Sequence, residues 1–130
     1  MSTGTSSQFT PLTDQRAVLL TTYKRDGTPV GTAVNIAVEQ DHAYVRSWDK
    51  AWKTKRMRKN PHVLVAPSTM RGKPTGPAVS AHARELSGDE AKHAAELLQH
   101  KHRLLQGIMV PLAHKIQRVR TVHFELTPEV

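Results

Sequence analysis

The sequence predicts a small α+β domain, mainly β, in which six short antiparallel strands close into a barrel with helices at its periphery. Three observations carry that expectation. Apolar residues alternate with period two in several short runs. The first two runs are joined by Asp26-Gly27, a strong hairpin signal. Clear helical composition is confined to two stretches, each set between strands.

The elements follow in order. Residues 1–10 are Ser/Thr-rich and read as a flexible N-terminus, leaving 11–130 as one domain. Residues 11–16 suit a short helical turn. Ala17 to Tyr23 is β-prone and leads into the Asp-Gly turn. A second strand is expected from Pro29 to Glu39, with Val30, Thr32, Val34, Ile36 and Val38 on one face. A turn at Gln40-Asp41 precedes a third strand, His42 to Trp48, where Ala43 and Val45 face away from His42, Tyr44 and Arg46. Asp49 to Lys59 is helical in composition with Asp49 as N-cap, and Asn60-Pro61 stops it. His62 to Pro67 is the fourth strand, 68–77 a Gly/Pro loop, and Ala78 to Leu86 the fifth strand. Ser87 caps a second helix, with Asp89 and Glu90 in its first turn and Ala94, Leu97 and Leu98 as its apolar stripe. Residues 103–118 are ambiguous, with a break expected at Pro111. Thr121 to Leu126 alternates as the closing strand.

Composition narrows the function. At 130 residues there is room for one core and no second domain. Apolar residues make up 38%, which is low and points to a polar binding surface or to an interface that supplements the core. Nineteen Lys plus Arg against 11 Asp plus Glu leave a net charge of +8, so an anionic partner is expected. Cysteine is absent, which excludes disulfides, thiolate catalysis and Cys-ligated metal sites. No apolar run approaches the roughly 20 residues of a membrane-spanning helix. The N-terminus lacks the basic start and apolar stretch of a signal peptide, and the expected location is cytoplasmic.

The densest chemical signal is Trp52-Lys53-Thr54-Lys55-Arg56-Met57-Arg58-Lys59-Asn60-Pro61. It follows a strand directly, so its first turn offers unpaired N–H groups and the positive end of the helix dipole. Lys53 and Arg56 can share a face there and hold a phosphate. Arg58 and Lys59 sit at the carboxyl end, where the dipole itself favours cations. Taken alone, such a run is more often a solvated face than a site.

A resemblance adds to this reading. The stretches Leu19-Leu20-Thr21-Thr22-Tyr23 and Asp26-Gly27-Thr28-Pro29-Val30, the Trp-Lys-x-Lys-Arg-Met-Arg-x-Asn-Pro segment, and Val63 to Arg71-Gly72 are together similar to the pyridoxamine 5′-phosphate oxidase-like split β-barrel family. More narrowly, the chain resembles the actinobacterial flavin/deazaflavin oxidoreductases that use coenzyme F420. The similarity runs from about residue 16 to 127. It implies a homodimer of FMN-binding split-barrel type, with the cofactor in a groove between subunits. It implies that Lys53, Lys55 and Arg56 grip the phosphate, that Ser47 and Trp48 lie near the cofactor chain or ring, and that Ser68 and Thr69 line the same groove. Arg71, with Lys73 and Lys24, becomes a candidate for the anionic tail of F420. No catalytic acid or base is implied, because the cofactor carries the redox chemistry.

Other signals read as packing. His93, His100, His102, His114 and His123 lack a His-Glu-x-x-His pattern, and exposed or pairing histidines are the better reading than a metal site. Tyr23 and Tyr44 suit core or rim packing, and Met57 suits the core. Trp48 and Trp52 either cover the groove or cap the helix. Gly72 and Gly76 read as a flexible turn.

The leading expectation is therefore an F420H2-dependent reductase acting on a small electrophilic acceptor. The alternatives are an FMN- or haem-binding split barrel and a non-enzymatic F420 carrier. Nucleic acid ranks last, because aromatics are only 5% of the chain and a single basic stretch carries one Trp.

Overall fold

The chain is described here by a computed structural model covering residues 8–106 and 120–129. Seven strands form one antiparallel sheet: β1 Val18–Tyr23, β2 Pro29–Val34, β3 Ile36–Glu39, β4 His42–Trp48, β5 His62–Pro67, β6 Val79–Glu85 and β7 Thr121–Pro128. Helix α1 spans Trp52–Lys59 and α2 spans Gly88–Gln106. The sheet order is β2-β1-β5-β6-β7-β4-β3. Its two edge strands, β2 and β3, are consecutive in the chain with only Asn35 between them. One residue spans less than 4 Å or so of chain, so the sheet must curl until its edges meet.

The expected single strand Pro29–Glu39 is thus two strands, and among the described residues the sheet has seven strands instead of six. The reason is partner exchange. Residues 29–34 pair with β1 and residues 36–39 with β4. Asn35 belongs to neither ladder, and its side-chain Nδ2 donates to the Arg16 carbonyl at 3.0 Å. Val34 and Ile36 both stay in the core, so the alternation read from the sequence survives the break.

Inward residues of the curled sheet form the main core, with Phe124, Leu126, Val45 and Val63 almost fully buried. A 3-10 turn at Thr10–Leu12 closes one opening, and Phe9 and Leu12 enter the same core. The expected loose segment 1–10 is therefore corrected at Phe9, an apolar residue with no exposed surface; residues 1–7 lie outside the described residues.

Helix α1 starts at Trp52 and not at Asp49, and no side chain caps it; Ala51 holds the cap position. Asp49 is drawn away by a stronger partner, since its Oδ1 accepts from Arg58 Nη2 at 2.6 Å. Arg58 also grips Glu85 of β6 through Nε and Nη2, at 2.8 and 2.9 Å. The inner face of α1 is Thr54 and Met57, and Met57 is 2% exposed in the barrel core. Helix α2 lies on the outside of the sheet, where Ala94 and Leu98 cover Ala37, Tyr44 and Leu86. Asp89 and Glu90 occupy its first turn as expected. It continues to Gln106, into the ambiguous stretch, while the expected break at Pro111 lies outside the described residues.

The far half of α2 is tied to the sheet edge. Lys101 Nζ and His102 Nε2 both donate to the Ile36 carbonyl, at 2.7 and 3.0 Å. Donating through Nε2 leaves His102 Nδ1 bare, and among the described residues that buried atom has no partner. Burial holds the His102 pKa below its usual value; the Ile36 carbonyl opposes this, while Lys101, Arg46 and Arg16 add to it. His123 is lowered in the same way by burial and Arg46.

Two expectations follow. Met57→Ala removes the anchor of α1 and lowers unfolding free energy by about 2–5 kcal/mol, read by urea denaturation. For His102, the unfolded chain takes a proton as pH falls through about 6.5 while the folded chain resists. Stability is therefore lost as pH falls below about 6.5, and His102→Gln flattens that part of the melting-temperature profile.

Candidate functional site

The closure of the sheet leaves a cleft at its seam. β2 and β4 approach each other there, with no pairing between them among the described residues. The cleft encloses about 520 Å³, within the usual range for small-molecule sites. Ala33, Val34 and Asn35 form one wall, and Arg46, Ser47 and Trp48 the other. Lys53 enters from α1 and Met70 from the β5–β6 loop. Among the described residues, the lining carries two cations and no carboxylate. Trp48 and Met70 expose 60% and 58% of their surface at its rim, unusually high for large apolar side chains.

Ser47 has a defined polarity. Thr54 Oγ1 lies 2.8 Å from Ser47 Oγ and 2.6 Å from the Trp48 carbonyl oxygen. A hydroxyl has one proton and a carbonyl can only accept. The Thr54 proton therefore goes to the carbonyl, and Ser47 donates to Thr54. Ser47 Oγ is left with lone pairs toward the cleft, so it suits a donor group on a ligand and not a phosphate oxygen.

Lys53 is half-buried, and its pKa is lowered chiefly by that burial and secondarily by the Arg56 charge. A cation that is short of water and beside a like charge gains most from an anion. The first-turn N–H groups of α1 add to it, because no side chain caps that helix.

The candidate residues of the sequence do not all line one cleft of the chain. Ser47, Trp48 and Lys53 meet at the seam cleft. Ser68, Thr69 and Arg71 lie on the loop that delivers Met70, outside the lining itself. Ser68 Oγ donates to the Thr69 carbonyl at 2.9 Å, and Thr69 Oγ1 accepts from the N–H groups of Arg71 and Lys73. These hydroxyls hold the loop in shape. Gly72 completes the turn at φ +89°, a conformation side-chain-bearing residues disfavour.

Lys55 and Arg56 face a different cleft, on the other side of α1. It encloses about 900 Å³ and is lined by Tyr23, Lys24, Arg25, Trp52, Lys55, Arg56, Lys59 and Asn60. Trp52 is 71% exposed, with Lys55 Nζ 4.6 Å from its ring centre. The two tryptophans thus mark two separate clefts.

Asn35, Arg46 and Met70 were missed as cleft residues by sequence reasoning. Asn35 carried a signal, as the polar residue where one long alternating run changes partner. Arg46 and Met70 are placed by sheet closure and loop path, which composition does not report. Of the histidines, His93 pairs with Glu39 at 2.9 Å, His102 is buried against Ile36, and His123 is half-buried. His114 is outside the described residues. Tyr44 donates to Glu39 at 3.2 Å, and its pKa is pushed up to about 12 by burial and then by Glu39. It is a packing residue under α2, not a proton donor near neutral pH.

No family profile matches the sequence, and no curated protein matches it. Solved structures do match. An F420 reductase shares 18% identity, with 96% of each chain covered and a TM-score of 0.63. A pyridoxamine 5′-phosphate oxidase candidate from Listeria innocua shares 19%, covering 89% of this chain and 86% of that one, with a TM-score of 0.61. HutZ, the haem storage protein of Vibrio cholerae, shares 14%, covering 89% and 83%, with a TM-score of 0.62. The chain has the split-barrel fold. At these identities the likeness establishes that fold alone.

The hydroxyl relay gives a test. Thr54→Val preserves volume but strips the partner from Ser47 and from the Trp48 carbonyl. Stability should fall by about 1–3 kcal/mol in urea titration, as for unsatisfied buried polar groups.

Proposed function

We propose that the chain is an oxidoreductase that binds coenzyme F420 in the seam cleft and passes a hydride from its reduced form to a small electrophilic acceptor. The observation that carries this reading is Lys53, a half-buried cation at an uncapped helix start, in a cleft without a carboxylate. Lys53 and the first-turn N–H groups bind the phosphate. Arg46 offers a second positive charge. Ser47 accepts from a hydroxyl or ring N–H of the cofactor. Trp48 and Met70 supply the apolar contact that orients the ring and excludes water.

When bound, the deazaflavin supplies the hydride; the chain supplies position. The rim is the part of the cleft still open to water. A second copy of the chain closes it in this reading, burying Trp48 and Met70 in a homodimer. No helix among the described residues is long and apolar enough to cross a membrane, in keeping with a cytoplasmic enzyme. FMN is the alternative cofactor, since it too carries a phosphate for Lys53. Haem is less well served, because the described lining holds no His, Cys or Tyr as an axial ligand.

The test uses Trp52→Phe, which leaves Trp48 as the sole tryptophan. F420 and FMN are titrated separately. Saturable quenching at micromolar or lower F420, with weaker FMN, supports the reading. Lys53→Ala should weaken F420 binding by about tenfold or more, as charge-assisted contacts are worth roughly 1.5–3 kcal/mol. Affinity should fall as pH rises through the lowered Lys53 pKa, and Lys53→Arg should remove that fall while keeping the charge. Unchanged affinity in Lys53→Ala would sink the assignment. Turnover is then read from F420H2 oxidation with candidate acceptors.

A further inference from the structure

The second cleft is more than a charged surface. Among the described residues, its lining holds five cations (Lys24, Arg25, Lys55, Arg56 and Lys59), two aromatic rings (Tyr23 and Trp52), and no carboxylate. Cations crowded in this way repel one another, and nothing in the lining offsets the cost.

Two of its side chains are held in place from behind. Arg56 Nε donates to Thr22 Oγ1 at 2.7 Å, and Thr22 has no exposed surface. This bond fixes the guanidinium and uses only one of its five N–H groups. The terminal nitrogens are left for an oxyanion, in the fork geometry that suits phosphate. Tyr23 stacks on His62 with ring centres 5.4 Å apart and planes 22° apart. His62 Nδ1 lies 2.7 Å from Glu129 Oε1, so the stack is anchored to the chain end beyond β7. One ring and one cation are thus set before any ligand arrives, and such pre-ordering lowers the entropic cost of binding. Trp52 completes the wall. A ring 71% exposed, with one cation already near it, has a face to offer.

From this we infer that the second cleft is a ligand site in its own right, for a planar ring carrying phosphates, of the nucleoside diphosphate class. The ring stacks against Trp52 and Tyr23, and the phosphates meet Arg56 with Lys24 and Lys59. A volume of about 900 Å³ accommodates a ligand of that size. The site is separated from the seam cleft by α1 and does not depend on what the seam cleft binds.

The test exploits the two tryptophans. In Trp48→Phe the only tryptophan is Trp52, and adenosine diphosphate and inorganic pyrophosphate are titrated against it at near-physiological salt. Saturable quenching by the nucleotide, with pyrophosphate about tenfold weaker or worse, is expected. Arg56→Gln should weaken the nucleotide by about tenfold or more. Arg56→Lys should not restore it, because a lysine cannot keep the Thr22 bond and present a fork as well. Calorimetry on the unsubstituted chain repeats the titration in case a variant folds poorly. Equal affinity for pyrophosphate would overturn the proposal, since the rings would then contribute nothing. So would the absence of saturation in both chains. So would a nucleotide response carried by Trp48 in Trp52→Phe and missing from Trp52, which would place the ligand at the seam.

Discussion

Everything in this structure depends on one connection: the two edges of a seven-stranded sheet are consecutive strands joined through Asn35. A flat sheet cannot satisfy it, so the sheet must curl and its inward faces must form a core. Edge strands are normally a liability, because their unpaired backbone invites foreign pairing. Here the edges are folded onto one another, yet β2 and β4 stop short of pairing. The unpaired seam becomes a cleft, and its depth is set by the same curl that makes the core. Lys101 and His102 reinforce the junction by donating to Ile36, the residue immediately after Asn35. The cleft is therefore a by-product of closure, and damage to closure reaches it without touching its lining.

The wall between the two clefts is a helix of only eight residues. On its own such a helix would be marginal in water. It persists because its short inner face is tied down by different means at different points. Met57 is sunk in the core, Thr54 is bonded to the end of β4, and Arg58 bridges Asp49 and Glu85. With the inner face thus occupied, Lys53 is left to one side and Lys55, Arg56 and Lys59 to the other. The lowering of Lys53 by Arg56 shows the two sides still sense each other's charge.

Much of the fold was legible because local rules and tertiary demands agree here. His42–Trp48 and His62–Pro67 begin and end where alternation and turn residues place them. Met57, Ala94 and Leu98 are buried as their helical spacing requires. The failures share a cause. Asp49 was expected to cap α1, but a charged partner nine residues on outcompeted a local bond to the backbone. The run Pro29–Glu39 was read as one strand because periodicity reports which face a residue occupies, not which strand it pairs with. Phe9 was lost in a polar terminus because burial of a lone apolar residue depends on an opening in the barrel. The site was half legible for a similar reason. Spacing of three on a helix allowed Lys53 and Arg56 to share a face, but helical spacing alone cannot say what stands on either side of that helix.

The charge of the chain now has a spatial meaning. A net +8 spread evenly would only raise solubility. It is not spread evenly. Asp49 and Glu85 are engaged by Arg58, Glu90 and Glu125 by Arg84, Glu39 by His93, and Glu129 by His62. These pairs brace the outer sheet and the flanks of the helices. Exposed pairs of this kind add little stability individually, but they engage these carboxylates outside the described linings of both clefts, with Glu129 behind the Tyr23–His62 stack. The cations of α1 and of the β1–β2 hairpin tip are left facing clefts whose described linings hold no carboxylate. Low-dielectric walls around a single sign of charge concentrate the field in a cleft, and this distribution is what favours an anion in both proposed sites.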